Sequence, residues 1–173
     1  VIVGATGSGK STQIPQYLLD VPTSRDGKVL VRQNQCVAIT QPRRVAAVTV
    51  AKRVAQERSS KLGNEIGYAV RFDDCSCPET RVRFVTDGLL LREAMVRRDL
   101  GRYRVIILDE AHERSLHTDI LLGKLKGLLR GKRKNSLRIV IMSATLNAAA
   151  FSSFFDSAPV LRIEGRQHPV RVM

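Results

Sequence analysis

The chain opens with a short apolar run, residues 1–3, that leads directly into Gly4-Ala5-Thr6-Gly7-Ser8-Gly9-Lys10-Ser11. This segment fits the phosphate-binding pattern G-x-x-x-x-G-K-[ST], which lies between a strand and a helix. Glycines let such a loop turn tightly and aim its backbone N–H groups at phosphate oxygens. The N-terminus of the following helix adds partial positive charge. The sequence therefore predicts a nucleoside triphosphate site, with Lys10 on the β- and γ-phosphates and Ser11 on Mg²⁺; the alternative is a glycine-rich turn without a ligand.

The length and net charge of the chain favour a single globular domain with a polyanionic partner. With 173 residues, 43% hydrophobic and 26% charged, the chain is expected to form one globular domain. The 29 Lys and Arg residues outnumber the 16 Asp and Glu residues, which gives a formal net charge of +13. Such a charge favours a nucleic-acid partner. An anionic membrane surface is the competing partner, but the cations do not collect on one amphipathic helix, and no apolar run approaches the ~20 residues of a membrane span.

Apolar segments of two kinds alternate along the sequence. Continuous apolar runs predict buried strands at 36–39 and 105–108, and apolar-rich segments predict strands at 82–85 and 137–142, with short strands at 66–70 and 160–163. Helical spacing predicts helices at 11–20, 44–58, 87–98, 116–130 and 147–154, with Asp87 as an N-cap. Residues 21–34 and 59–79 are predicted to be mostly irregular. The alternation predicts an α/β fold, a doubly wound and mostly parallel sheet with helices on both faces.

A pair of carboxylates follows the most apolar of these runs. Asp109-Glu110-Ala111-His112 begins where the strand at 105–108 ends, on the sheet edge that also carries the phosphate-binding loop. One carboxylate can hold Mg²⁺ while the next deprotonates the attacking water, which is the arrangement that phosphoryl transfer needs. The alternative is that Asp109 caps a helix and Glu110 occupies its first turn.

Several segments, taken in order, resemble the DEAH-box family of RNA helicases over nearly the whole chain. Gly4 to Thr12 is similar to motif I, residues 40–47 (TQPRRVAA) to motif Ia and residues 86–93 (TDGLLLRE) to motif Ib. Residues 109–114 (DEAHER) resemble the motif that names the family, and residues 143–145 (SAT) follow in the expected place. The resemblance implies a RecA-like ATPase domain spanning 1–173, the first of two such domains in an ATP-dependent RNA helicase.

The same resemblance implies a role for each matching residue. It implies that Asp109 holds the metal, that Glu110 is the catalytic base and that Thr12 lies near the α-phosphate. It implies that His112, Ser143 and Thr145 couple the nucleotide state to the second RecA-like domain of the same polypeptide. It also implies that Arg53 stacks on the adenine. The cofactors implied are ATP, or another NTP, and Mg²⁺.

Arg43, Arg44 and Thr86 match family positions that contact the nucleic-acid backbone. A physical reason supports this, because a motor that moves along RNA must hold phosphates rather than read bases. Two adjacent arginines at a helix start also oppose the helix dipole, and an anionic ligand would offset that cost. The alternative is a solvated charge pair. The basic run 130–134 is expected to be a solvated loop, although it could add non-specific RNA or protein contacts.

Further expectations concern the whole protein. In the family the arginine fingers belong to the second domain, so this piece alone is expected to bind nucleotide and hydrolyse it very slowly. The alternative function is a nucleotide-binding RNA scaffold without turnover. We expect RNA as partner, an activator protein as a further candidate, no membrane association, and a nuclear or nucleolar location with the cytoplasm as the alternative. Residues 165–170 resemble the family's exit toward the second domain, and the segment 21–34 has no assigned role.

Overall fold

The computed structural model describes residues 1–20, 30–32, 34–144 and 148–164. The predicted segment 165–170, the site residue Thr145 and most of the predicted loop at 21–34 lie outside the described residues. None of the helices in the described part of the chain is long and apolar enough to cross a bilayer.

Strands and helices alternate along the described chain. The strands are β1 (Ile2–Gly4), β2 (Cys36–Gln41), β3 (Ile66–Val70), β4 (Asp73–Cys75), β5 (Val82–Thr86), β6 (Tyr103–Leu108), β7 (Arg138–Ser143) and β8 (Leu161–Ile163). The helices are α1 (Lys10–Asp20), α2 (Arg44–Glu57), α3 (Asp87–Val96), α4 (Leu116–Arg130) and α5 (Ala148–Phe154), with a short 3-10 turn at Ala111–Glu113.

The strands form a single eight-stranded sheet in the order β4-β3-β5-β2-β6-β7-β1-β8. All neighbouring strands run parallel except β3 and β4, which form an antiparallel hairpin. The carboxyl ends of β1, β2, β5, β6 and β7 therefore meet at one edge, which we call the front edge. The strand β7 separates β1, which carries the phosphate-binding loop, from β6, which carries the acidic pair.

Helices cover both faces of the sheet because the central strands are apolar on both sides. In β6, Ile106 and Leu108 pack with α3, α4 and α5, whereas Val105 and Ile107 pack with α1 and α2. This period of two follows from the alternating direction of side chains in a strand. The predicted doubly wound, mostly parallel α/β fold is confirmed.

Two local predictions need correction, and one alternative is wrong. The segment 59–79 is less irregular than predicted, because β4 pairs with β3 across the two-residue turn Arg71-Phe72. Asp87 is the first residue of α3 rather than its N-cap, which is Thr86. The residues after Asp109 form a 3-10 turn and not the start of an α-helix, since Glu110 and Arg114 on either side of it adopt left-handed backbone conformations.

Candidate functional site

The phosphate-binding loop adopts the tight turn that its glycines predict. Gly7 and Gly9 both have φ of +81°, a region that residues with a Cβ rarely adopt. A Cβ on Gly4 would lie only 2.9 Å from the carbonyl oxygen of Ile163 in β8. The amides of Thr12 and Gln13 donate to the carbonyl of Gly9, so that α1 begins directly at the loop. The loop is therefore shaped by backbone requirements that only glycine meets.

The ammonium group of Lys10 lies inside this loop. Lys10 is 94% buried, as only 6% of its surface is exposed, and its Nζ donates to the carbonyl oxygens of Gly4 at 2.6 Å and Ala5 at 2.8 Å. A third contact reaches the hydroxyl of Ser8 at 3.2 Å. These carbonyls hold a buried cation in the place where phosphate oxygens are expected, so the charge is positioned before any ligand arrives.

Asp109 lies beside the phosphate-binding loop although it is 99 residues further along the chain than Lys10. Its side chain accepts hydrogen bonds from the backbone N–H of Glu110 at 2.9 Å and from Nε2 of Gln41 at 2.6 Å, and the Ser11 hydroxyl lies close enough to help lower its pKa. Burial raises the pKa of Asp109, while these hydrogen bonds and the charge of Lys10 act in the opposite direction. The structure thus brings Lys10, Ser11 and Asp109 together in one site.

Glu110 follows Asp109 with φ of 50°, a left-handed conformation that costs a non-glycine residue free energy. Burial and the neighbouring Asp109 charge raise the pKa of Glu110, and the charges of His112 and Lys10 oppose that shift. A carboxylate with a raised pKa is a better proton acceptor than an exposed one, which suits the predicted role as catalytic base.

His112 links the acidic pair to the end of β7. Its Nδ1 accepts a hydrogen bond from the amide of Ala144 at 3.3 Å and lies 3.4 Å from Oε2 of Glu110. Ser143, the last residue of β7, is buried. Its strand lies between β1, which leads into the phosphate-binding loop, and β6, which leads into the acidic pair. His112 and Ser143 thus lie near the nucleotide site, and their role in coupling to a second domain stays a prediction.

Arg53 lies on the exposed side of α2 and is tied to the helix of the phosphate-binding loop. Its Nε donates to Glu57 at 2.7 Å, and Glu57 also accepts from Gln13 and Gln16 of α1. The guanidinium is thus held near α1 by a carboxylate. Its predicted stacking on adenine stays a prediction.

A groove of about 580 Å³ opens on the front edge beside the nucleotide site, and we call it the front groove. Arg44 and Thr86 lie next to each other there because the ends of β2 and β5 pair, with Gln41 opposite Thr86. Its other lining residues include Arg71, Phe72, Asp87, Arg92 and His117. Arg43 lies outside the lining, 79% exposed, with a guanidinium nitrogen 3.9 Å from Glu113. The structure therefore joins Arg44 and Thr86 in one surface and places Arg43 next to the 3-10 turn.

Two functional candidates were missed from the sequence. The sequence places Gln41 only within motif Ia, but in the fold it is buried and donates a hydrogen bond to Asp109. Phe72 is 89% exposed at φ of +67°, and the Arg71 guanidinium lies 4.8 Å from its ring centroid. The left-handed backbone belongs to the two-residue hairpin turn between β3 and β4, and it leaves the ring of Phe72 facing solvent. The sequence signal for Phe72 was an aromatic residue next to an arginine, between two short strands. The sequence signal for Gln41 was a polar residue at the end of an apolar strand.

Comparison with known proteins decides the family. The DEAD/DEAH box helicase family model matches residues 1–152. This chain belongs to the DEAD/DEAH box helicase family. The resemblance predicted from the motifs is confirmed.

Two curated relatives show how much of a helicase this chain represents. The chain is 52% identical over 173 residues to the probable ATP-dependent RNA helicase DHR2 of Saccharomyces cerevisiae, and the match covers 99% of the chain and 22% of that protein. It is 49% identical over 175 residues to the human ATP-dependent RNA helicase DHX33, with 99% and 24% covered. This helicase domain therefore spans about a quarter of the length of these relatives.

Proposed function

We propose that this domain is the ATP-binding and ATP-hydrolysing core of an ATP-dependent RNA helicase that remodels or unwinds RNA. One observation carries the proposal: the strand order places Asp109 beside the phosphate-binding loop, where the Ser11 hydroxyl and the charge of Lys10 both act on it, so the loop and the acidic pair form one site. Family membership and the names of the two relatives support the choice of RNA.

The residues of the site divide the work of phosphoryl transfer. The N–H groups of the loop from Gly4 to Gly9 bind phosphate oxygens, and Lys10 exchanges its carbonyl partners for the β- and γ-phosphates. Glu110 takes the proton of the attacking water, and its partly buried position keeps its pKa raised for this task. Gln41 orients Asp109 from the neighbouring strand.

The donor set of the site fits Mg²⁺. Ser11 supplies a hydroxyl and Asp109 a buried carboxylate, both hard oxygen ligands, and the Ser11 hydroxyl is near enough to Asp109 to influence its pKa. When bound, the metal would neutralise charge that develops on the phosphates. Ser11 and Asp109 would hold it.

The front groove is the proposed grip on RNA. Arg44, Arg71 and Arg92 supply positive charge for phosphates, and Thr86 supplies a hydroxyl. Phe72 offers an exposed ring on which a base can stack without sequence preference. The combination suits a motor that must step along any sequence.

Binding and turnover can be tested separately. We expect the 173-residue protein to bind a non-hydrolysable ATP analogue more tightly with Mg²⁺ than without it, measured by calorimetry. Equal affinity under both conditions would contradict the proposed site and favour the alternative, a nucleotide-binding scaffold without turnover. The full-length protein is expected to show ATPase activity that single-stranded RNA stimulates more than DNA.

The isolated domain is proposed to hydrolyse ATP slowly. An arginine supplied from another domain is worth about 10³–10⁵ in turnover in related systems. Brisk turnover by the 173-residue protein that Glu110→Gln abolishes would show that no second domain is needed. We also propose a second RecA-like domain, a candidate activator protein and a nuclear or nucleolar location; fluorescence microscopy of the tagged full-length protein tests the last.

A further inference from the structure

The basic run at 130–134 is not an isolated solvated loop in the fold. It gathers with three arginines from other parts of the chain at the edge of the sheet opposite the front edge, where β6 and β7 begin. We call this set the rear basic cluster. Its members are Arg32, Arg104, Lys132, Arg133, Lys134 and Arg138.

Strand pairing brings the cluster together. Arg138 begins β7 and lies opposite Val105 of β6, so it is next to Arg104. The six residues of β6 extend over about 20 Å, which separates this cluster from Asp109 at the other end of the strand. The cluster is therefore distinct from the nucleotide site and the front groove.

Backbone carbonyls hold two of the arginines in place. Arg104 donates to the carbonyls of Leu30, Asn135 and Ser136, and its contact to Ser136 is 2.5 Å. Arg133 donates to the carbonyls of Asp99 at 2.8 Å and Tyr103 at 2.7 Å. These bonds orient the guanidinium groups without supplying an opposite charge, since a carbonyl carries no net charge.

Among the residues that the structure describes, no carboxylate lies within ion-pair distance of the six cations. Arg130, which is adjacent in sequence, differs because it pairs with Asp156 at 2.6 Å. The cations also repel one another: burial first, and then the charges of Arg138, Arg133 and Arg32, lower the pKa of Arg104. A bound polyanion would relieve that repulsion.

The surface chemistry indicates which polyanion fits. No large exposed hydrophobic side chain of the described residues belongs to the cluster, as it would at a typical protein interface. Within the described part of the chain, the cluster includes no exposed aromatic ring for base stacking either. A row of guanidinium and ammonium groups without apolar surface suits a phosphate backbone, bound without regard to sequence.

We propose that the rear basic cluster is a second RNA-binding surface, which holds the phosphate backbone of a strand or duplex arm that does not occupy the front groove. The inference rests on the proposed function only in its choice of RNA as the polyanion. It predicts that the two surfaces bind RNA independently.

The test is a matched pair of triple variants of the 173-residue protein. The rear variant is Lys132→Gln, Lys134→Gln and Arg138→Gln, and the control is Lys52→Gln, Lys61→Gln and Lys124→Gln. All six residues are exposed, and both variants lose the same charge. Binding of a labelled 12-nucleotide RNA is measured by fluorescence anisotropy across salt concentrations, with thermal melting as the check on folding.

We expect the rear variant to lower the slope of log K against log salt by about 2, since each phosphate contact on a single strand contributes about 0.7. The control should keep the parent slope.

In an Arg44→Ala background, which weakens the front groove, the remaining RNA binding should be lost only with the rear variant. Equal slopes for the rear variant and the control would overturn the proposal without touching the ATP site. Tighter binding of polyglutamate than of RNA at this cluster would overturn it in favour of an acidic protein partner.

Discussion

The nucleotide site and the front groove lie on the same edge of the sheet but are built in opposite ways. In the nucleotide site the ammonium group of Lys10 and the carboxylate of Asp109 are both buried and already hydrogen-bonded. In the front groove Phe72 is 89% exposed. The nucleotide site is therefore organised in advance for a ligand with a fixed arrangement of charges. The front groove remains open to a ligand of variable sequence.

Replacing Lys10 should give the largest effect and should separate the two regions. We expect Lys10→Ala to weaken binding of the ATP analogue roughly 100-fold, because a hydrogen bond to a charged group contributes about 1.5–3 kcal/mol. RNA affinity should not change. Calorimetry for the nucleotide and anisotropy for RNA measure the two effects, with the exposed Lys124→Ala as control. A parallel loss of RNA affinity would mean that the two regions are not independent.

The converse change is Phe72→Ala in the front groove. A stacked base contributes about 1–3 kcal/mol, so RNA affinity should fall between about 5-fold and 100-fold while nucleotide affinity stays constant. Tyr17→Ala is the matched control, because Tyr17 is also an exposed aromatic, 59% accessible, but lies on α1 away from the groove. Unchanged RNA binding in anisotropy would remove Phe72 from the proposed grip.

The pH dependence of stability tests the electrostatic cost of the nucleotide site. Burial and Asp109 raise the pKa of Glu110 above its ordinary value of 4.5, so the folded state favours the neutral carboxyl. The contribution of Glu110 to the free energy of unfolding is therefore fully present below pH 4.5. It is lost as the pH rises through the raised pKa of the folded state.

Glu110→Gln should consequently melt at a higher temperature than the parent protein at pH 7 to 8, and the difference should disappear toward pH 4. Thermal unfolding across this range measures it, and Glu113→Gln, at an exposed neighbouring position, serves as control. A lower melting temperature for Glu110→Gln at pH 8 would contradict the assignment of a destabilising charge.

The contact between Arg43 and Glu113 should give the smallest effect, and it joins the two regions. Both side chains are exposed and 3.9 Å apart, so the pair is worth at most about 1 kcal/mol. Glu113→Gln frees Arg43 and should strengthen RNA binding by no more than about 5-fold, measured by anisotropy at low salt. Weaker RNA binding would show that Glu113 positions Arg43 rather than competing for it.

Much of the fold could be predicted because its signals are local. Continuous apolar runs predicted β2 and β6, apolar-rich segments predicted β5 and β7, and helical spacing predicted α2 and α4. The hairpin of β3 and β4 was missed because β4 is the short, exposed sequence Asp73–Cys75, which has no hydrophobic pattern. The turn after Asp109 was also missed, since the left-handed conformation of Glu110 is imposed by its surroundings and not by its own preference.

The sequence by itself determined the family and the doubly wound α/β fold. It also grouped Lys10, Ser11 and Asp109 into one predicted site, because the spacing of glycines and the ends of apolar strands carry that information. The tertiary structure alone decided that Gln41 holds Asp109, that His112 bonds to Ala144 and that cations from four segments meet at the rear edge. Those contacts depend on strand order and register. Residues far apart in the chain become neighbours only when the sheet is assembled, and no local pattern records which strands will pair.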